Sequence, residues 1–444
     1  MLKIFDTLQK DIIPLEFSGE TVNFYSCGPT VYGYAHIGNL RSFIMADVLF
    51  RTLKANGQKV RWVMNITDID DKTIRGCLAE FGNESSIKTL KTYTTKFTER
   101  FIADLREVGV NTEQIEFINV TDVIPEIQEF IMKLKEKGYA YTAEDGSTYF
   151  SIEKYQNDFK DYGALVGAKF LEGKKVGARI KHDEYDKDNL SDFALWKAWD
   201  EADGAIFWEH PELGKGRPGW HIECSAINFH AFRGEATDIH TGGIDLIFPH
   251  HTNEIAQSQP LGPFVNYWVH FEHLLVDSKK MSKSLKNDYT LEELKGKGFS
   301  GLDLRYLLLQ SNFRQQNNFT WEAIEAAHNA RVKLANSVDV NSAEEVSIAG
   351  EFLDALNNNL NTAGALAIAH QNKDNLLSYD QVLGLSLGDK PHVEIPEAVQ
   401  ELLTQRQQAR DNKDFSKSDE LRDEIAKHGF EVKDTSTGQQ ITKK

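Results

Sequence analysis

Cys27, Cys224, His250 and Glu254 have the side-chain types that would suit a metal ion. Two thiols, an imidazole and a carboxylate make a ligand set for Zn²⁺, which prefers tetrahedral coordination by sulfur, nitrogen and oxygen. His250 and Glu254 stand four residues apart in Phe248-Pro249-His250-His251-Thr252-Asn253-Glu254. A helix that opens at Pro249 would put both on one face. The same spacing suits a plain surface pair worth roughly a few tenths of a kcal/mol, and no two cysteines form a C-x-x-C, so chemistry alone leaves both readings open. A second group is of anion-binding type: His36 and Asn39 in His36-Ile37-Gly38-Asn39, and Lys280 and Lys283 in Lys280-Met281-Ser282-Lys283-Ser284. Donors at a helix start, with two lysines on a serine-containing loop, can neutralise a polyphosphate as charge builds in phosphoryl or nucleotidyl transfer. Taken singly, a loop histidine is more often solvated, and a basic turn more often only exposed.

The elements that must position these groups follow from periodicity. Residues 21–26 alternate apolar and polar side chains, as a half-buried strand does. Leu40, Phe43, Ile44, Ala46, Asp47 and residues 49–53 fit an amphipathic helix that Gly57 can close, and residues 60–66 give a second strand. In a βαβ unit of this kind ligands sit at the carboxyl ends of the strands, where the helix points its positive end at an anion. Cys27 and His36 would both stand at that crevice. Residues 65–72 form another strand end loaded with polar groups, a pattern that also suits a solvated turn and helix cap.

A long helix with Ile87, Leu90, Thr94, Phe97, Phe101 and Leu105 on one face ends at Gly109. The pattern then changes. A helix with Ile124, Ile127, Ile131 and Leu134 precedes a hairpin turning at Asp145-Gly146, and a charged stretch runs from 181 to 192. This segment reads as an insertion, because βαβ logic resumes only with residues 217–226 and with the short strand and glycine turn of 238–246. A capping box at 290–293 starts another helix, and residues 331–388 are helical. Two charged helices occupy 396–428. Their Arg406, Arg410, Lys413, Lys417 and Arg422 offer either an RNA-contacting face or an ordinary solvated one.

Composition sets limits. The 444 residues are 41% hydrophobic and 26% charged, which is globular, and the formal charge of -17 argues against a general DNA or membrane binder. The amino terminus lacks the apolar core of a signal peptide and no run approaches a membrane span, so a cytoplasmic protein is expected. Three scattered cysteines favour metal or catalytic use over a disulfide framework.

Together the pieces resemble the cysteinyl-tRNA synthetase family of class I aminoacyl-tRNA synthetases, nearly end to end. The resemblance rests on Cys27-Gly28-x-Thr30-Val31-Tyr32, His36 to Asn39, residues 65–72, Gly219-Trp220-His221-Ile222-Glu223-Cys224-Ser225-Ala226, residues 248–254 and residues 280–284. It implies an α/β fold: a Rossmann-type catalytic domain in halves 1–111 and 206–274 around a connective insertion at 112–205. A lysine-bearing junction at 275–330, a helical bundle at 331–388 and a small α+β anticodon-binding module at 389–444 would follow. By the same resemblance Cys27, Cys224, His250 and Glu254 would hold one Zn²⁺. His36, Gly38, Asn39, Asp245, Lys280 and Lys283 would form the ATP site, with Mg²⁺ on the phosphates. His36, Asn39, Lys280 and Lys283 would be catalytic, and Gly28, Thr67, Trp220, His240 and His270 would line the cysteine pocket.

The implied activity is ligation of L-cysteine to tRNA(Cys) through a cysteinyl-adenylate, by a monomer. Two rivals are a ligase that joins cysteine to a small amine, as in the mycothiol pathway, and a non-catalytic RNA-binding paralogue. Four positions depart from the family pattern, among them Thr252, which replaces a glutamate between His250 and Glu254. Asn39 stands where a histidine is common, with an amide still able to donate to phosphate. Thr241 replaces a glycine and is expected to narrow the room for ATP, and Ile441 replaces a tryptophan.

Overall fold

The computed structural model describes residues 1–167, 175–180, 189–282, 285–338, 348, 350–389, 396–435 and 438–443. They fall into two compact units, Met1–Gly388 and Asp389–Lys444. The first is built on a five-stranded parallel sheet of β1 (Thr21–Ser26), β2 (Lys59–Ile66), β3 (Ile115–Asn119), β4 (Thr237–Gly243) and β5 (Val265–Phe271). Its spatial order is β5-β4-β1-β2-β3. The chain leaves β1 in one direction to make β2 and β3, then returns to the other edge of β1 as β4 and β5. Where the order reverses, the carboxyl ends of β1 and β4 leave the crevice that open α/β sheets use for ligands.

Helix α1 (Ile37–Ala55) connects β1 to β2, and Gly57 follows it at φ +83. The sequence predicts one apolar face, but the structure buries α1 nearly all round. Helices Gly301–Leu309, Glu351–Asn357 and Leu376–Leu383 cover the side that an isolated βαβ unit would leave wet. Burial of each large apolar side chain there contributes about 1.5–3 kcal/mol. Asp47 can be buried only because it is paired, with Arg51 at 2.7 Å and Arg305 at 2.6 Å. A second apolar core fills the other face of the sheet, under α2 (Trp220–Ala231) and helix Ile124–Glu136.

Two boundaries read from the sequence fall elsewhere. Ile115–Asn119 lies within the expected insertion, yet it is the edge strand of the parallel sheet, with Phe117 opposite Met64. Five residues with two polar ones among them carry too little alternation to announce a strand. The antiparallel sheet of the insertion also runs past 205, because Gly214–Pro218 pairs with Asn189–Ala198. Of the charged stretch 181–192, residues 181–188 lie outside the described residues.

In the second unit, helices Glu397–Asp411 and Phe415–Lys427 pack on the hairpin of Phe430–Thr435 and Gly438–Lys443. Ile441 joins the apolar core of Val399, Ile425, Phe430 and Val432. Of the cations expected to offer a basic face, Arg406 and Arg410 are tied to Asp434, while Lys417 and Arg422 keep exposed pairs on their own helix. Arg406 is fully buried and bidentate to Asp434 at 2.9 and 3.0 Å, Arg410 meets Asp434 at 2.7 Å, and Lys417 and Arg422 pair with Glu420 and Asp419. No helix among the described residues is long and apolar enough to cross a membrane.

Candidate functional site

Cys27 is the first residue beyond β1, and Cys224 lies on α2. His250 and Glu254 come from the turn after β4 and from α3 (Thr252–Ser258). Phe248 is extended (φ -139, ψ 130), residues 249–251 after it lie in an irregular π-type turn, and the regular helix continues from Thr252. His250 still reaches Glu254, with Nε2 3.0 Å from Oε1. The two sulfurs are 3.6 Å apart, His250 Nε2 is 3.4 Å from Cys224 Sγ, and Glu254 Oε1 is 3.7 Å from Cys27 Sγ. The four donor atoms lie within 4.8 Å of one another and all four residues are buried.

Burying four ionisable groups together is costly unless their charges balance. Burial pushes the Cys27 thiol well up, with Cys224 and Glu254 adding to the rise. Burial pushes Cys224 the same way, but the hydrogen bond from Cys27 and the imidazole of His250 bring it down to about 6. Burial opposes charge on His250 and Glu254, yet Cys224 and Glu254 hold the imidazole up at about 10, and His240 and His250 hold the carboxyl down at about 2. An anionic, sulfur-rich nest shielded from water fits a thiophilic divalent cation. A second set, Cys27, His240, His251 and Glu254, meets the same distance criterion.

The surrounding residues brace this nest. His240 Nε2 is 3.1 Å from Glu254 Oε2, and its ring stacks on Trp268 at 4.5 Å. The Trp220 ring lies 4.2 Å over His250. His251 Nε2 is 3.3 Å from Cys27 Sγ, and its Nδ1 is 2.7 Å from His270 Nε2, whose Nδ1 in turn is 2.7 Å from the Thr7 hydroxyl. Burial drives the His251 and His270 imidazoles down, His270 to about 3, so both are neutral at pH 7. On the other side Gly28 N–H donates to Asn65 Oδ1 at 2.8 Å, Asn65 donates to Thr67, and the Thr67 hydroxyl donates to Glu223 Oε2 at 2.8 Å. His251 and Glu223 carried no expected role, although each adjoins a residue that did.

Gly28 is where the backbone comes closest: a Cβ there would lie 1.7 Å from the Asn65 carbonyl oxygen. Only glycine fits, so Gly28→Ala is expected to displace Cys27. Bound zinc per chain, read by atomic absorption on folded protein, should fall by half or more, and full occupancy would contradict the placement of Cys27.

The anion-binding group gathers at the start of α1. Ile37 N–H donates to the Tyr289 carbonyl at 2.8 Å, which pins the helix start. His36 caps the helix, its Nδ1 accepting from Asn39 N–H at 3.2 Å while Asn39 Oδ1 accepts from His36 N–H at 3.2 Å. Only the NH₂ end of the Asn39 amide is left without a partner among the described residues. A Cβ on Gly38 would lie 2.3 Å from Met281 Cε, so the lysine-bearing loop passes directly over the helix start. Lys280 ends a short hairpin braced by Asn287, whose Nδ2 donates to the Lys280 carbonyl at 3.3 Å while its Oδ1 accepts from Ser282 N–H. Lys283 lies outside the described residues. Asp245 sits just past β4, against Gly243. Thr241 does not narrow the crevice: it is buried in the sheet, with its hydroxyl 2.8 Å from Ser26 Oγ.

Comparison with known proteins accounts for most of the chain. Residues 15–329 match the family described as tRNA synthetases class I (C) catalytic domain, and residues 392–441 match the cysteinyl-tRNA ligase anticodon binding domain. A cysteine–tRNA ligase of Chlamydia caviae is 42% identical over 463 residues, covering 96% of this chain and 94% of its own. One of Protochlamydia amoebophila is 40% identical over 481 residues, covering 100% and 98%. The solved methionyl-tRNA synthetase of Mycobacterium tuberculosis, in complex with methionyl-adenylate, superposes with a TM-score of 0.55 over 88% of this chain and 84% of its own. At 13% identity that likeness is one of fold.

Proposed function

Since this chain belongs to the cysteinyl-tRNA ligase family of class I tRNA synthetases, we propose that it activates L-cysteine with ATP and passes the cysteinyl group to the 3′-terminal ribose of tRNA(Cys). It would do so as a cytoplasmic monomer, with Mg²⁺ on the nucleotide phosphates. The observation that carries this reading is the meeting of Cys27, Cys224, His250 and Glu254 at the β1–β4 crevice, beside the helix start that bears His36.

The cysteine carboxylate attacks the α-phosphate of ATP in line, giving cysteinyl-adenylate and pyrophosphate. The step needs positioning and charge stabilisation more than covalent help. His36 and the Asn39 amide donate to phosphate at the positive end of α1. Lys280, with Lys283 beyond it, balances the charge that gathers on the departing pyrophosphate. Gly38 leaves room for Met281, which lets the lysine loop lie close to the helix start. Asp245 completes the nucleotide crevice at the end of β4.

Selectivity for cysteine has its own origin. A purely apolar pocket separates near-isosteres by only about a hundredfold. Cys27, Cys224, His250 and Glu254 would hold a zinc ion, which would supply a Lewis acid that favours a thiolate over a hydroxyl. His240 orients Glu254 from behind, and Trp220 covers His250. Gly28, Thr67 and His270 form the remaining wall of the pocket.

The two rival readings are not favoured. A ligase acting on a small amine has no use for the segment at 392–441, which matches an anticodon-binding family, and full-length relatives named as ligases leave a non-catalytic paralogue without support. Charging of tRNA(Cys) with labelled cysteine by the purified protein tests the proposal. Charging with cysteine and not with serine is the expected result, and a folded, zinc-loaded protein that charges neither would overturn it.

A further inference from the structure

Outside the crevice, the loop before α1 carries an aromatic ring that is mostly open to solvent. Tyr34 is 68% exposed, two residues before His36. Its edge is held by Phe97 of helix Ile87–Glu107, with ring centroids 5.6 Å apart, and the guanidinium of Arg100 stands 5.7 Å from the Tyr34 ring centre. Lys96 Nζ is 5.1 Å from the Phe97 ring centre, and Lys72 Nζ is 5.1 Å from that of Tyr32. Aromatic rings interleaved with cations thus form a patch on a chain of formal charge -17, at the mouth of the proposed adenylate site.

Leaving a large ring in water gains nothing for the fold, and here the ring keeps most of its surface exposed although Phe97 and Arg100 hold it in place. Faces of this kind, with cations spaced about them, take the unpaired bases and the phosphates of a single strand. The exposed carboxylates that pair with Lys96 and Arg100, Glu80 and Glu292, do not remove this capacity, while the buried Asp104 anchors Arg100 at 2.8 Å. Exposed ion pairs are worth only about 0–1 kcal/mol and yield readily to a phosphate.

We infer that Tyr34 is a stacking platform for a base of the unpaired 3′ end of tRNA, with Lys72, Lys96 and Arg100 placed to meet its phosphates. This rests on the ligase reading, and it adds a site for the acceptor strand on the rim of the catalytic unit. The competing source of a base is ATP, and the 68% exposure of the ring, which belongs to none of the residues assigned to the adenylate, favours the tRNA.

The test compares wild type, Tyr34→Ala and Tyr34→Phe in two assays. Cysteine-dependent ATP–pyrophosphate exchange reads the adenylate reaction without tRNA. Equilibrium binding is measured for intact tRNA(Cys) and for the same tRNA trimmed of its unpaired 3′ end. Loss of a stacked base weakens binding about fivefold or more, so Tyr34→Ala should bind intact tRNA at least about fivefold more weakly. It should bind the trimmed tRNA as wild type does and keep wild-type exchange, while Tyr34→Phe should behave as wild type throughout. Equal weakening for intact and trimmed tRNA, unchanged binding of intact tRNA, or a raised KM for ATP in exchange would overturn the platform. Absence of exchange in the wild type would strike the ligase reading instead, and the binding comparison would still decide the role of Tyr34.

Discussion

Cys224→Ser is expected to lower cysteine-dependent pyrophosphate exchange by at least about a hundredfold and to strip the protein of zinc. Outer-shell partners of a metal site already cost about 10–100-fold when removed, and Cys224 is placed to bind the ion itself, with its sulfur 3.6 Å from that of Cys27 and 3.4 Å from His250 Nε2. A serine hydroxyl does not ionise at neutral pH and is a hard donor, so it replaces neither the charge nor the softness of the thiolate. The variant also separates the two possible ligand sets. If Cys27, His240, His251 and Glu254 held the ion, Cys224→Ser would leave the zinc bound. Metal analysis of the folded variant reads this directly, and retained zinc with near-normal exchange would count against the assignment.

The largest expected effect on stability is that of Arg305→Met. The Arg305 side chain is fully buried between α1 and the helix Leu376–Leu383: Nη2 donates to Asp47 Oδ2 at 2.6 Å, Nη1 to the Val108 carbonyl at 3.2 Å and Nε to the Leu383 carbonyl. Burial lowers its pKa and Asp47 raises it, so the pair is held by mutual compensation. Removing one member of a buried pair costs about 3–5 kcal/mol, because the other charge stays in the interior. Arg51 and the Asn111 N–H still reach Asp47, which puts the expected loss near the lower end. Urea unfolding should show it, and Asp47→Leu combined with Arg305→Met should recover part of it. A loss under about 1 kcal/mol would mean that water or Arg51 already satisfies Asp47.

These two variants also show where the sequence is legible. The strand of β1, the helix α1 and the hairpin around Gly146 are local, and alternation, period and glycine placement announce them. The donor types of the metal nest are equally plain. What cannot be read locally is that Cys27 and Cys224, 197 residues apart, end side by side. That follows from β4 returning to the free edge of β1 after a long excursion. The same nonlocality hides the rest. The period of α1 shows one face, while its other side is closed by helices from residue 301 onward. The cations near the carboxyl terminus look like a surface until Asp434, on a hairpin further along, pairs with a buried Arg406 and ties down Arg410 at the edge. Thr241 looks like an obstacle to ATP until its hydroxyl is found against Ser26, and His251 is hidden beside His250 because adjacency on a turn says nothing of which ring faces the sulfurs.

The most direct test is X-ray absorption at the zinc edge of the purified protein, without substrate, with L-cysteine and with L-serine. Two sulfurs at about 2.3 Å, rising to three with cysteine and unchanged with serine, is the predicted result. It would place Cys27 and Cys224 on the ion and identify the substrate by its thiol. A single sulfur without substrate, or a count that cysteine does not change, would contradict it.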